Sequence, residues 1–592
     1  MSAGKVIPGG LLGLVPWILI ACGGAQARMG DVFDKAWRDD GGASISSLHG
    51  KLASHTIPRG ADVALGVVEE GLVGVALATG QAWSYLHAVD ARPWIAGNVV
   101  VGTGGGRVFA LDALTGRPLW SRPATGRVSG AGDDGRTTLV SFEASFRGDG
   151  VLVAVARDGT VTRQLEMPVR IGTPALVANL AFFPWEERNV TAYDLGSGRE
   201  VARTILAHST SHAFIAGGTL FFGQETVTAF DGRIGAQGAP TVTLPNRELP
   251  GDPSWLGPSG VGKVTSTESD VNRLYGKPVW RGDALGFAGD RYYGTYRRFV
   301  MGLEATTGGL AWVRRTEADS LGGAAYDGGV VLCEGTGAVR FYEGSTGALA
   351  GKVSLGVRVR ACVVQADGLS RRAEPRREPL IDQLSGGIDV LETGAGAMQS
   401  FLLSELVALE SPEATRRLIE MAMDSRTPPG LMTEVRAGLS SRRNGAEFML
   451  EALDSRYDFL AGVLVTPPVG PLADALAQMG EGRAAPLLAE HLNDPANSTD
   501  DVKRSAQALA KLATAEEFEQ LETFFALNRA TAHNEDILPA VVAVAGALLR
   551  VGGGAGREIV RSAAYDSMTV PMLQQPLREL AGGTSTTGRL DH

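Results

Sequence analysis

The sequence predicts a multidomain protein, all-β and then all-α: an eight-bladed β-propeller, seven-bladed if its most degenerate units are discounted, followed by an α-helical solenoid. Three observations predict it. Short apolar runs alternate with turn residues from residue 61 to 366. Within that stretch one turn pattern recurs about every 40 residues. Beyond residue 380 the apolar residues recur at spacings of three and four instead. The 592 residues exceed one ordinary core, and 44% hydrophobic with 20% charged residues suits folded domains. A net charge of −10 argues against non-specific binding to nucleic acid or anionic lipid, whose phosphates require a basic face.

The first residues bear on the compartment. After Lys5 comes LLGLVPWILIA, Leu11 to Ala21, which is too short to span a bilayer and has the length of a signal-peptide core. It ends in Leu19-Ile20-Ala21-Cys22, which resembles a bacterial lipobox. The competing reading is a plain secretory signal. The resemblance implies that residues 1–22 are a lipoprotein signal peptide, that Cys22 carries the lipid, and that acyl chains hold the mature chain to a membrane. Gly23 and Gly24 follow with no Asp directly after the cysteine; by resemblance to enterobacterial sorting, this implies the outer membrane, facing the periplasm. Residues 23–60 read as a polar, Gly-rich tether with a short helix around DVFDKAW. The remaining cysteines, Cys333 and Cys362, lie in strand-like runs. A disulfide in an oxidising compartment and two separate buried thiols both fit.

The β region is expected over residues 61–366. Its full turn pattern is Ala110, Asp112, Thr115, Gly116 and Trp120, in RVFALDALTGRPLW. A second strong copy has Glu304, Thr307, Gly308 and Trp312. Weaker copies carry Asp194, Ser197 and Gly198, with Ala202 where Trp would stand; Glu343, Thr346 and Gly347; and a shortened Ala76, Thr79, Gly80 and Trp83. Asp158-Gly159, Asp231-Gly232 and Gly276 to Trp280 echo it further. The turn glycines at 80, 116, 159, 198, 232, 276, 308 and 347 count eight units. An acid before a tight turn accepts backbone N–H bonds, Thr adds a local bond and Gly permits a positive φ. Trp offers a broad face to pack on a neighbouring blade. Repetition makes the pattern structural punctuation and not a catalytic signature.

This A-x-D-x-x-T-G-x-x-x-W pattern resembles the tryptophan-docking repeat of the quinoprotein-like, PQQ-type propellers. One relative in that family is the propeller lipoprotein of the outer-membrane β-barrel assembly machinery. The resemblance implies a propeller fold and a role at the outer membrane, in barrel assembly or envelope organisation.

Residues 367–379, basic and Pro-containing, read as a linker. Residues 380–582 read as short paired helices, with Asp424, Asp454, Asp494 and Asp566 marking matching helix ends. The pattern resembles HEAT repeats, four or five of them. Residues 583–592 are expected to be a disordered tail.

Four constellations could carry chemistry. GPSGVGKVT matches P-loop spacing at Gly257, Gly262 and Lys263, yet Val264 stands where a Mg²⁺-ligating Ser or Thr is needed and no strand precedes it. It reads as an inter-strand loop. His208 and His212 are four apart, but in a strand-like context without a HExxH glutamate, so hydrogen-bonded or exposed histidines are the default. Quinone-cofactor dehydrogenases typically carry adjacent cysteines and a Ca²⁺ ligand set; no two cysteines are adjacent here and no calcium set can be assigned. No G-x-S-x-G elbow precedes a helix. No catalytic, cofactor or metal residue is therefore assigned. The expected function is a non-enzymatic, lipid-anchored scaffold that binds other envelope proteins through propeller faces and the solenoid, with no nucleic acid partner. The alternatives are a quinone-cofactor oxidoreductase and a small-ligand sensor using the propeller channel.

Overall fold

The computed structural model describes residues 60–582, leaving aside 145–147, 187, 206–209, 217–218, 225–226, 231–240, 243–282, 289, 305–306, 367, 372–377, 390–395, 456, 459–462, 465 and 533–535. Val-, Ala- and Leu-rich runs of two to seven residues, cut by turns, form successive antiparallel sheets. The first holds β1 (Val63–Val68), β2 (Gly71–Ala76) and β3 (Ala82–Tyr85). The second holds β4 (Trp94–Ala96), β5 (Val99–Gly104), β6 (Arg107–Asp112) and β7 (Pro118–Pro123). The third holds β8 (Arg127–Asp133), β9 (Thr137–Glu143), β10 (Gly150–Ala156) and β11 (Val161–Met167). The fourth holds β12 (Ala175–Val177), β13 (Leu180–Trp185), β14 (Asn189–Asp194) and β15 (Arg199–Ile205). The fifth holds β16 (Thr210–Ala216), β17 (Thr219–Gln224), β18 (Val227–Phe230) and β19 (Thr241–Val242). The sixth holds β20 (Asp283–Ala288), β21 (Arg291–Tyr296), β22 (Phe299–Glu304) and β23 (Leu310–Arg315). The seventh holds β24 (Ser320–Tyr326), β25 (Gly329–Glu334), β26 (Ala338–Glu343) and β27 (Leu349–Ser354).

The next strand, β28 (Ala361–Gln365), does not start an eighth sheet. It returns to the first and pairs with β1, Leu65 opposite Val363, giving the order β28-β1-β2-β3. Seven four-stranded sheets thus lie among the described residues, in a propeller-like topology whose first sheet is shared by both ends of the β region. Of the eight turn glycines, Gly232 and Gly276 lie outside the described residues, Gly276 in the stretch between the fifth and sixth sheets.

Two compact units emerge. The first contains sheets one to five with β28, the second sheets six and seven with the helices. Within each, successive sheets stack face to face over their own apolar layer. Val63, Leu65 and Leu72 meet Val100, Phe109 and Leu111 between the first two sheets. Leu139 and Leu152 meet Ala181 and Phe183 between the third and fourth. Tyr293, Val300 and Trp312 meet Val330, Leu332 and Tyr342 between the sixth and seventh. Middle strands are covered on both faces, so β2 and β25 are buried at every residue, while the outer β11 alternates half-buried and exposed. Cys333 and Cys362 are both disulfide-bonded.

The helices of the second unit are α1 (Leu380–Ile388), α2 (Gly396–Ala408), α3 (Pro412–Met423), α4 (Pro429–Ser440), α5 (Ala446–Asp454), α6 (Val469–Met479), α7 (Ala484–Leu492), α8 (Thr499–Leu512), α9 (Phe518–Thr531), α10 (Leu538–Val551), α11 (Gly553–Tyr565) and α12 (Pro571–Gly582). Helices α4, α6, α8, α10 and α12 pack each on the next, and α3, α5, α7 and α9 do the same beside them. The expected Asp turns join three of the hairpins. Asp424, Asp494 and Asp566 each accept the N–H of the residue two positions on through a carboxylate oxygen, at 2.9 Å. Asp454 departs from the expectation. It is the last residue of α5, and a two-residue strand pair, β29 (Tyr457–Asp458) with β30 (Val463–Leu464), follows in place of the turn.

Residues between the β and helical regions are used structurally. The Arg371 guanidinium lies 4.2 Å over the Phe341 ring, and Glu378 pairs with Arg314. Helix α1 then packs on β23, the outer strand of the sixth sheet, where the buried Val313 N–H donates to Gln383 Oε1 at 3.0 Å.

Candidate functional site

The sequence pattern is built into joints between sheets. At the full copy, the Gly116 N–H donates to Asp112 O at 2.8 Å and closes the turn between β6 and β7. Asp112 Oδ1 accepts from Leu114 N, Thr115 N and Thr115 Oγ1 at 3.2, 3.0 and 2.8 Å. Thr307 Oγ1 donates in the same way to Glu304 Oε2 at 2.8 Å, and Gly308 N to Glu304 O. Glu343 does most, accepting from both the N–H and hydroxyl groups of Ser345 and Thr346. Burial alone would raise its carboxyl pKa, but these bonds outweigh it and hold the group below the ordinary glutamate value. Gly116, Gly308 and Gly347 have φ of +70°, +71° and +67°, the left-handed backbone that such turns need.

Each docking side chain reaches the next sheet's turn. A Cβ on Gly116 would stand 2.4 Å from the Trp83 ring, and Trp83 Nε1 donates to Ala113 O at 3.1 Å. Trp312 repeats this on Gly347, with Nε1 donating to Gly344 O at 2.7 Å. The small residue opposite the indole has a purpose: Ala110 pairs with Trp120, Gly302 with Trp312 and Gly74 with Trp83, leaving room for the ring across the strand. In the shortened copy, therefore, Gly74 is the small residue. Ala76 takes the acid's place, accepting the Gly80 N–H through its carbonyl.

Trp120 is the exception. It faces the third sheet's turn, which is one residue tighter, Gly159 N bonding to Ala156 O. The buried Trp120 Nε1 has no hydrogen-bond partner. Instead Arg122 donates to Gly159 O at 2.7 Å, as Arg314 does to Gly347 O at 2.9 Å. Both arginines stand two residues after a docking Trp, a spacing visible in the sequence but not singled out. Arg163 was also missed. It occupies the Trp position of the third sheet, lies against Gly198 and donates to Leu195 O at 3.1 Å, as an indole would.

Two buried carboxylates lie elsewhere. Asp133 is held by Arg157 at 2.7 Å and by the Thr138 hydroxyl at 2.9 Å. Glu334 is fully buried beside Arg340, 2.8 Å away. Burial raises both pKa values, and the arginines partly offset it. His212, in β16, is buried, and burial depresses its pKa to about 3. His208, the P-loop-like stretch Gly257–Lys263 and Cys22 lie outside the described residues. Among the described residues no three His, Cys, Asp or Glu side chains gather as metal ligands, and no helix is long and apolar enough to cross a membrane.

Among the described residues, two cavities and one group of exposed apolar side chains stand out. A cavity of about 300 Å³ opens beside β4, floored by Trp94, Val101 and Val128 and rimmed by Arg92, Arg107 and Arg127. A groove of about 250 Å³ in the helical region is lined by Ile388, Met421 and Leu431 with the Asp389–Arg417 ion pair. Near the last helical hairpin, Leu527, Tyr565, Met568 and Met572 are exposed. The turn carrying Met568 is pinned, because Arg529 bonds Asp566 and Thr569 at 2.7 and 2.9 Å.

Residues 70–214 match the sequence profile of a PQQ-repeat family described as outer membrane protein assembly factor BamB. That match spans the second to fourth sheets entire and supports a PQQ-type propeller. Among solved structures, BamB from Moraxella catarrhalis is similar at 15% identity, covering 49% of this chain and 82% of its own, with a TM-score of 0.28. The computationally designed Ika8 protein is similar at 13% identity, covering 50% of this chain and 85% of its own, with a TM-score of 0.30. The chain matches no curated protein.

Proposed function

We propose that the protein is a non-enzymatic scaffold, lipid-anchored through Cys22 at the outer membrane and facing the periplasm, where it holds other envelope proteins during barrel assembly or envelope organisation. The observation that carries this reading is the match of residues 70–214 to an assembly-factor family, over sheets whose signature residues Trp83 and Asp112 are used in joints. The propeller has eight blades. The eighth is assigned around Gly276, because each described turn glycine falls in one four-stranded sheet in chain order and Gly232 falls in the sequence between β18 and β19 of the fifth. The helical hairpins form a HEAT-like solenoid, supported by the two parallel rows of stacked helices. Partners bind by shape and apolar contact. The exposed Met568 on a pinned turn, with Tyr565 and Met572 on the helices that flank it, suits that task, since rigid presentation lowers the ordering cost of binding. The disulfide-bonded Cys333 and Cys362 agree with export to an oxidising compartment.

Crosslinking in native envelopes, with mass spectrometry of captured chains, tests the reading. Barrel-assembly components are expected on the propeller and on the Tyr565–Met572 surface. Capture of only cytosolic proteins, or a mature chain that keeps Met1 and takes up no labelled palmitate at Cys22, would refute it. Stoichiometric binding of a quinone cofactor with dye reduction would replace it by an oxidoreductase.

A further inference from the structure

The cavity beside β4 pairs an apolar floor with a cationic rim. Val101 and Val128 are buried, Trp94 is half-buried, and Gly102, Gly106 and Gly126 contribute no side chains, which leaves the space open. On the rim, Arg127 pairs with Glu143, and Arg92 donates to Cys362 O at 2.9 Å. Asp90 is the one carboxylate in the lining. Arg107 bonds the neutral hydroxyl and carbonyl of Ser121, at 2.9 and 3.0 Å, and among the described residues no carboxylate lies within ion-pair distance of it. Such a site fits an aromatic or aliphatic side chain with a carboxylate beside it.

One segment of this chain has that chemistry and the reach. Asp31-Val-Phe-Asp-Lys-Ala-Trp37 interleaves two carboxylates with Val32, Phe33 and Trp37, and Asp39 and Asp40 follow it. It lies in the stretch that precedes the described residues, which begin at Gly60. There the chain is fixed beside the same sheet, for Ala61 N donates to Gly97 O at 2.9 Å, in the turn after β4. Strand β4 has three residues, about 10 Å, between that turn and the cavity. The 23 residues from Trp37 to Gly60 extend to about 75 Å, so the segment reaches with slack to spare. Being part of the same chain, it meets the cavity at an effective concentration of order millimolar.

We infer that the cavity beside β4 is a docking site for the chain's own Asp31–Trp37 segment, with Phe33 or Trp37 on the Trp94–Val128 floor and Asp34 or Asp31 against Arg107. If Cys22 is lipidated, as proposed above, the eight residues 23–30 then separate the acyl group from the docked segment. The cavity is held within about 30 Å of the bilayer, and the segment works as a strap that aims this face of the β region at the membrane.

Trypsin on the full chain tests the contact directly, because Arg28 lies outside the segment while Lys35 and Arg38 lie in or beside it. Cleavage after Lys35 and Arg38 is expected to be about tenfold slower than after Arg28. Asp34→Lys, read at Arg38 because the substitution adds a tryptic site at position 34, should abolish that difference, and so should Arg107→Glu. The double variant should restore it. Equal rates at all three sites in the wild-type chain, or no recovery in the double variant, would overturn the inference. A photo-crosslinking residue in place of Phe33 gives a readout that does not depend on lipidation. Attachment within residues 90–128 of the same chain is expected; attachment elsewhere, or only to a second copy, would also overturn it.

Discussion

Trp120 and Trp312 are the same residue in the same pattern, yet their indoles are treated differently. Trp312 Nε1 donates to a buried carbonyl, whereas Trp120 Nε1 faces a tighter turn and bonds nothing. Trp312→Phe should therefore leave Gly344 O without its donor, while Trp120→Phe removes an orphaned N–H. Denaturant titration should find Trp312→Phe about 1–2 kcal/mol more costly, and equal losses would contradict the joint geometry. The glycine beneath the ring is as constrained. Gly347→Ala would place a methyl 2.4 Å from Trp312 at φ +67°, at a cost of about 2–4 kcal/mol. Glu343 adds a pH dependence. Its folded pKa is lowered, so its stabilisation is present above the unfolded value of 4.5 and lost as pH falls through the folded one. Wild type and Glu343→Gln should differ in stability at pH 7 and converge as the pH falls below the folded pKa of Glu343. A gap that persists in acid would show that the carboxylate charge is not what holds the turn.

At the scale of elements, the stacked helices are tied by a buried carboxylate. Asp501 of α8 accepts the Gly470 N–H of α6 at 2.8 Å, pairs with Arg436 of α4 at 2.5 Å, and takes the Ser498 hydroxyl. Asp501→Ala strands a buried N–H and a cation at once. Calorimetry should show a loss of about 2–4 kcal/mol, with Asp501→Asn intermediate; a neutral Asp501→Ala would mean that apolar packing alone sets the stacking. These elements were unevenly legible in the sequence. Turn glycines announced themselves, because a positive φ leaves few other choices. The Asp turns after α3, α7 and α11 did so because a side chain answers a backbone N–H two residues on. Arg163 could not be read, since its docking role depends on where the neighbouring turn stands and not on being aromatic. Asp454 misled for the converse reason: the residue type was right, but the strand pair inserted after α5 removed the turn it would have served. The cavity beside β4 was also invisible, because its floor comes from strands whose alternation reads as ordinary core and its rim from loops with no pattern.

For the whole molecule, the pairing of β28 with β1 makes the two ends of the β region one sheet. A protease site placed in the exposed loop after β3, near Leu86, should cut the chain without separating it, because β1 to β3 stay bonded to β28 on the other fragment. Gel filtration should return a single species until denaturant is added, and spontaneous separation would refute the closure. The placement of α1 has a different consequence. Outer strands of open sheets offer an unspent row of backbone donors and acceptors that invites another polypeptide to add itself. On the sixth sheet that row is covered in part, since the helix packs on β23 and Gln383 answers the amide of Val313. Any polypeptide that extends a sheet is thereby turned away from β23 toward outer strands such as β11, so the helical region removes one pairing edge from the β region.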